Sequence, residues 1–155
     1  MTKKQAKGPI LVPVDFSPHS AAALLHACEM AHCMHRSIVV LHVVHDPAEM
    51  PGYYSKLTKK KNLVRLEDLA RDMLDRFMHE FKRNHPGFKV LQKADVMLVL
   101  GLPVTRILQV VEKLHASQVV MGSQGHTGLQ HLLLGSKAEQ VVRLAPVPVT
   151  IVKAQ

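Results

Sequence analysis

"PILVPVDFSP", residues 9–18, predicts a buried strand that passes through a tight turn into a helix. The apolar run over 9–14 is typical of a strand that is covered on both faces of a sheet. Ser17 is a residue type favoured at a helix N-cap, and proline, here Pro18, is favoured at the first helical position. We therefore expect a strand over 9–14, Asp15 at its carboxyl end, and a helix over about 18–35.

The same alternation of strand and helix continues to the end of the chain. Apolar and β-branched runs predict further strands over 37–44, 88–100 (with an interruption near 93–94), 118–122 and 147–152. Periodic apolar positions predict helices over 58–84, after Pro103, and over 136–144. This alternation favours an α/β fold, a doubly wound parallel sheet with helices on both faces. Right-handed crossovers leave a few strand orders open.

Length and composition predict one globular domain spanning residues 1–155. Apolar residues make up 47% of the chain, which is typical of globular proteins. No apolar run approaches the roughly 18 to 20 residues of a membrane helix, and the N-terminal run "ILVPV" is too short for a signal peptide. The two cysteines are too few for a disulfide framework. We expect a cytoplasmic protein without a membrane span.

The charge balance is basic, with a formal net charge of +8 and 11 histidines. Such a balance can attract nucleic acid, acidic lipid or nucleotide phosphates. Aromatic residues are only 4% of the chain, so stacking platforms for single strands are poorly supplied and nucleic acid is an unlikely partner. The basic run over 56–65 is either a docking patch or, as we favour, a solvated surface.

"GSQGHTGLQHLLLGS", residues 122–136, links the predicted fourth strand to the following helix. Glycines allow a backbone to approach a ligand closely and to adopt positive φ, and inward N–H groups bind anions. A helix starting near Ser136 would offer a phosphate site at its N-terminus. Spacing alone leaves two readings open: a nucleotide cradle, or a plain glycine turn with Ser136 as N-cap.

Several ordered motifs resemble the universal stress protein family. The glycine stretch fits its signature of G, two residues, G, nine residues, G, then S or T, at Gly122, Gly125, Gly135 and Ser136. "ILVPVDFSPHSAAALLHA", "VVLHVV", "GLPVTRIL", "VVMGSQG" and "APVPVTIVK" are similar to the family's other segments. The resemblance implies a sheet of order 3-2-1-4-5, like that of adenine-nucleotide alpha-hydrolases, and ATP binding. In that order Asp15 and Gly122 flank the point where the strand order reverses.

The resemblance also implies a role for each matching residue. Pro13, Val14 and Asp15 would meet the adenosine, Val43 the adenine, and Met121 and Gly122 the ribose. Gly125, Gly135 and Ser136 would hold the phosphates, with Gln124, His126, Lys137 and Ala138 beside them. Three positions depart from the family pattern: His126 where a permanent cation is common, Lys137 where a small apolar residue is common, and Ser117 where an aspartate is common.

The expected function is therefore an ATP-binding regulatory protein of the stress response, with Mg²⁺ or Mn²⁺ held mainly by the phosphates and no metal ligands of its own. Hydrolysis would be slow or partner-dependent, because no P-loop is present and no motif places a second group beside Asp15. A nucleotide hydrolase or transferase on the same scaffold and a basic nucleic-acid-binding module are the alternatives. We also expect a homodimer formed through the last strand, 147–152, and leave a further protein partner open.

Overall fold

The computed structural model describes residues 8–45, 60–125 and 134–154. Ten elements follow one another along the chain. They are β1 (Ile10–Pro13), α1 (Pro18–Met34), β2 (Ile38–Val44), α2 (Lys60–Asn84), α3 (Lys89–Gln92), β3 (Asp95–Leu100), α4 (Pro103–Leu114), β4 (Gln118–Gly122), α5 (Ser136–Leu144) and β5 (Val149–Val152).

The strands form one parallel sheet in the order β3-β2-β1-β4-β5, which confirms the expected fold class. Successive residues of β1 point to opposite faces, so Ile10 and Val12 join one buried cluster and Leu11 joins the other. Helices α1, α2 and α3 cover the first cluster, and α4 and α5 cover the second. Because both faces are covered, the central strands are continuous apolar runs.

Two of the predicted strands start two or more residues before the observed ones. Residues 88–100 contain a short helix, α3, because Leu91 and Gln92 donate backbone hydrogen bonds to the carbonyl of Phe88, and Leu91 is fully buried. The strand proper begins at Asp95. At the other end of the chain β5 begins at Val149 and not at 147, and Pro148 contributes only its carbonyl, which accepts from the N–H of Val119.

The pairing of β1 opens a gap in the sheet at its carboxyl end. Against β2, β1 is paired from Ile10 to Pro13, whereas against β4 it is paired only at Ile10 and Leu11. Beyond Leu11 the two central strands diverge. The strand order reverses between these strands, so the gap lies where doubly wound sheets commonly bind ligands.

No helix in the described parts of the chain is both long enough and apolar enough to cross a membrane.

Candidate functional site

Hydrogen bonds between backbone N–H groups and side chains hold the turn after β1 in place. The carboxylate of Asp15 accepts from the N–H of Ser17 at 3.0 Å, and the N–H of Asp15 donates to Oγ of Ser20 at 3.3 Å. Ser17 is the N-cap of α1, as predicted, and its hydroxyl accepts from the N–H of Ser20 at 3.2 Å. Asp15 is therefore held in one orientation at the carboxyl end of β1.

Phe16, in the middle of this turn, has an unfavourable backbone conformation. Its φ is +66°, a value that bulky residues rarely adopt. The ring packs on the imidazole of His42, with centroids 4.4 Å apart, and on Phe77 of α2 at 5.5 Å. These contacts offset the backbone strain, which is common at functional sites.

His42 of β2 ties the ends of the two strands together. Its Nδ1 lies 2.8 Å from the carbonyl oxygen of Val14, and since a carbonyl only accepts, Nδ1 carries the proton. Burial lowers the pKa of this imidazole, although the bond to Val14 and the charge of Asp15 act in the opposite direction. His42 also lines a cavity at this end of the sheet.

The end of β4 packs directly on the first turn of α1. A Cβ atom on Gly122 would lie 2.8 Å from the backbone carbon of His19, so only glycine fits there without a shift. Nδ1 of His19 in turn accepts from the N–H of Ala154 at 3.0 Å, just beyond β5. This contact holds α1 close to the carboxyl ends of β4 and β5.

Position 125 needs a glycine because the Asp15 side chain lies close to it, and not because its φ is positive. A Cβ atom there would lie 2.6 Å from Oδ2 of Asp15. The signature glycines Gly122, Gly125 and Gly135 all have φ outside the positive range. These glycines therefore do not use the positive φ that glycine allows. Their contribution is the absence of a side chain, which leaves room for close packing.

Helix α5 spans the predicted residues, Ser136–Leu144, but its N-cap differs from the predicted one. Gly135, not Ser136, is the N-cap, and its N–H donates to the carbonyl of Ser123 at 2.7 Å. Ser136 and Lys137 are consequently the first and second helical residues. The first N–H groups of a helix have no intrahelical partner, and a glycine cap has no side chain to accept from them. The residues that carry these donors line the same cavity as Asp15 and the glycines.

One cavity of about 390 Å³ lies between the diverging strands. Its apolar wall comes from both halves of the sheet and from the helices above: Pro13, Val14, Leu41, Val43, Ile107, Met121 and Ala138. Among the lining residues in the described part of the chain, Asp15 carries the one carboxylate and Lys137 the one permanently charged cation. The cavity thus has an apolar slot and a polar end.

The structure brings together every predicted site residue that it describes, because all of them line this cavity. His126 lies outside the described residues, as do Lys56 and Lys59 of the basic run. The sequence analysis missed six lining residues: Ser20, Leu41, His42, Pro103, Ile107 and Ser123. Three of these could have been found, since Leu41 and His42 are the two residues before the predicted Val43 and Ser123 follows Gly122.

Across residues 8–45, 60–125 and 134–154, the side chains form no cluster of three or more His, Cys, Asp or Glu residues that could hold a metal ion. Cys28 and His32, whose spacing invites comparison with a zinc site, are respectively buried and exposed.

Known proteins share this architecture. The chain is 29% identical over 152 residues to a universal stress protein of Methanocaldococcus jannaschii, with 93% of both chains covered. Among solved structures, the universal stress protein UspA from Lactobacillus plantarum matches with a TM-score of 0.74 at 22% identity, covering 94% of this chain and 97% of that one.

A universal stress protein from Archaeoglobus fulgidus, solved in complex with dAMP, matches with a TM-score of 0.59 at 22% identity, covering 94% of this chain and 98% of that chain. At these identities the structural matches show the fold alone. The model of the universal stress protein family matches residues 8–153, nearly the whole sequence. The chain therefore belongs to the universal stress protein family.

Proposed function

We propose that the protein binds ATP, with Mg²⁺ or Mn²⁺, in the cavity between β1 and β4, and that the nucleotide acts as a regulatory ligand in a stress response. The observation that carries this proposal is the cavity itself: an apolar slot that leads to an uncapped helix N-terminus. A volume of about 390 Å³ is within the range of small-molecule sites. The dAMP held by the A. fulgidus protein supports an adenine nucleotide as the ligand class.

The slot suits the adenosine. Pro13, Val14 and Val43 provide an apolar surface for a purine at the ends of β1 and β2. Asp15, oriented by its bond to the N–H of Ser17, has Oδ2 left to accept from a ribose hydroxyl. Met121 and Gly122 of β4 lie opposite and would support the sugar.

The polar end suits the phosphates. Gly125 presents backbone without a side chain, and Gly135 leaves the first N–H groups of α5 open. Phosphate oxygens are stabilised by such donors and by the positive end of the helix dipole. An adenosine in the slot would direct its phosphates toward this end.

A metal ion would be held mainly by the ligand. Asp15 is the one lining carboxylate in the described part of the chain, and Mg²⁺ commonly keeps several waters and binds through one or two carboxylates together with phosphates. We propose slow hydrolysis, if any. The nearest described imidazole, His42, already donates its Nδ1 proton to Val14, so it is poorly placed as a base through that nitrogen.

Two measurements test the nucleotide proposal. Native mass spectrometry of the purified protein should reveal co-purified adenine nucleotide, and calorimetric titration with Mg²⁺ present should give tighter binding of ATP than of GTP. The preference for adenine is expected because the slot is lined by apolar groups and backbone. Absence of binding by any adenine nucleotide in both measurements would refute the proposal.

We further propose that two copies pair through β5. The carbonyls of Pro148 and Val152 accept from the N–H groups of Val119 and Ser123, so the alternate residues Val149 and Ile151 direct their backbone N–H groups to the open edge. An unprotected apolar edge strand is a template for pairing. Antiparallel pairing of two β5 strands across a two-fold axis would satisfy these groups.

A further inference from the structure

Lys137 lines the cavity, but its position in the helix gives it no role in stabilising the fold. It is exposed, it lines the polar end, and it is the second residue of α5. A cation in the first turn of a helix opposes the helix dipole, so this position favours Asp or Glu on grounds of stability. The free energy of folding therefore does not explain a lysine at this position.

The acidic residue nearest to it along the helix is already paired. Glu139 accepts from the guanidinium of Arg143 at 2.6 Å, one turn further along α5. The ion pairs within the described ranges join Arg71 to Glu67, Arg143 to Glu139 and His26 to Glu29, and Lys137 belongs to none of them. Its ammonium group is available to an anion in the cavity.

We propose that Lys137 makes this site select nucleoside polyphosphates over monophosphates, an inference that rests on the proposed nucleotide site. An adenosine in the slot, with its sugar on Met121 and Gly122, would place its first phosphate near Gly125. The second and third phosphates then extend along the polar end toward the first turn of α5, where Lys137 lies. The lysine therefore contacts the outer phosphates, which a monophosphate lacks.

Position, and not total charge, determines this selectivity. Magnesium-bound ATP and AMP carry a similar net charge at neutral pH, so long-range attraction to a basic protein does not separate them. A charge-assisted bond to an outer phosphate does separate them, because it forms with one ligand alone. The bond is at an exposed site, so salt weakens it.

The test measures dissociation constants for ATP, ADP and AMP with Mg²⁺, using Lys137→Ala, Lys137→Arg and the control Lys113→Ala. Lys113 is an exposed lysine in the last turn of α4 that does not line the cavity, and its replacement removes the same charge. Lys137→Ala should weaken ATP binding about 3- to 10-fold in low salt and change AMP binding by less than about 2-fold. Lys137→Arg should retain most of the ATP affinity, and Lys113→Ala should match the wild type.

Thermal melts without ligand separate a folding defect from a binding defect. Lys137→Ala should melt at the same temperature as the wild type or slightly higher, because an unfavourable charge at the helix start is removed. In about 0.5 M salt the difference in ATP affinity should shrink.

The two proposals fail in different ways. An unchanged ratio of ATP to AMP affinity in Lys137→Ala overturns the role of the lysine and leaves the nucleotide site standing. A loss of ATP affinity in Lys113→Ala equal to that in Lys137→Ala would also overturn it, because total charge would then be the cause. A wild type that binds none of the three nucleotides overturns both proposals.

Discussion

The carboxylate of Asp15 lies against the backbone of Gly125, and a Cβ atom on that glycine would fall 2.6 Å from Oδ2. The contact joins the end of β1 to the segment after β4, across the gap where these strands diverge. Asp15 carries the one carboxylate that lines the cavity in the described part of the chain, and it lies beside backbone that no side chain covers. Any side chain at 125 must displace the carboxylate or enter the cavity.

Gly125→Val should therefore weaken ATP binding by at least about 10-fold, because a β-branched side chain would occupy the space proposed for the phosphates and displace Asp15. Calorimetric titration measures the effect. Gly87→Val is the matched control, since a Cβ at Gly87 meets nothing within 4 Å. Equal ATP affinity in the wild type and Gly125→Val would refute the site assignment.

Gly122→Ala should act on stability, because the new methyl group meets backbone and not solvent. The added Cβ would lie 2.8 Å from both the backbone carbon and Cβ of His19, so β4 or α1 must move. Overpacking of this kind costs about 1 to 3 kcal/mol. Urea unfolding of Gly122→Ala beside Gly87→Ala measures it, and a free energy of unfolding within about 0.5 kcal/mol of the control would contradict the expectation.

The sequence predicted most of the fold because the strands and the longer helices carry strong local signals. The apolar run over 9–14 and the Ser17–Pro18 helix start fixed the first strand, turn and helix. Periodicity did not fix the strand order, which came from the resemblance. The short helix Lys89–Gln92 was missed because its tertiary burial, at Leu91, is invisible in a four-residue pattern.

The residues that line the cavity were predicted where they follow strand ends and glycine spacing, and missed where residues distant in sequence meet. Pro103 and Ile107 reach the cavity because α4 crosses the sheet, and no local pattern shows this. The positive φ of Phe16 is set by packing on His42 and Phe77, which are remote in sequence. Such contacts depend on the whole fold.

Val149→Pro should dissociate the proposed dimer. Proline removes the N–H of Val149, which the bonding pattern directs to the open edge, and it is tolerated in an edge strand with that geometry. Val149→Ile keeps the N–H and serves as the control. Sedimentation at micromolar concentration should show a dimeric wild type and control and a monomeric proline variant; a monomeric wild type would rule out the pairing.

The two cysteines should differ in reactivity toward a thiol reagent. Cys28 is fully buried, and burial, with a smaller effect of Glu29, raises the pKa of its thiol to about 11, so it stays protonated at neutral pH. Cys33 is exposed. We expect Ellman's reagent to modify Cys33 rapidly in the native protein and Cys28 only after denaturation. Cys33→Ser should leave almost no fast reaction, and a fast phase that persists in this variant would show that Cys28 is accessible.

Protonation of His42 should destabilise the folded protein in mildly acidic solution. Its pKa is lowered in the fold, chiefly by burial, whereas an unfolded chain has a histidine pKa of about 6.5. Below that value the unfolded state binds more protons than the folded state at this residue, so the free energy of unfolding falls as the pH falls and levels off below the folded pKa. Above it, both states are neutral and the contribution is constant.

His42→Gln isolates this effect from the other histidines, because glutamine is neutral at every pH and its amide can donate to the carbonyl of Val14. Urea unfolding between pH 8 and pH 5 should show the wild type losing more stability than the variant, with the difference appearing below about pH 6.5. The control His79→Gln replaces an exposed histidine of α2 and should follow the wild type. If the wild type and His42→Gln lost the same free energy of unfolding over this range, the imidazole would be equally easy to protonate in the folded and unfolded states, which would contradict a pKa lowered by burial.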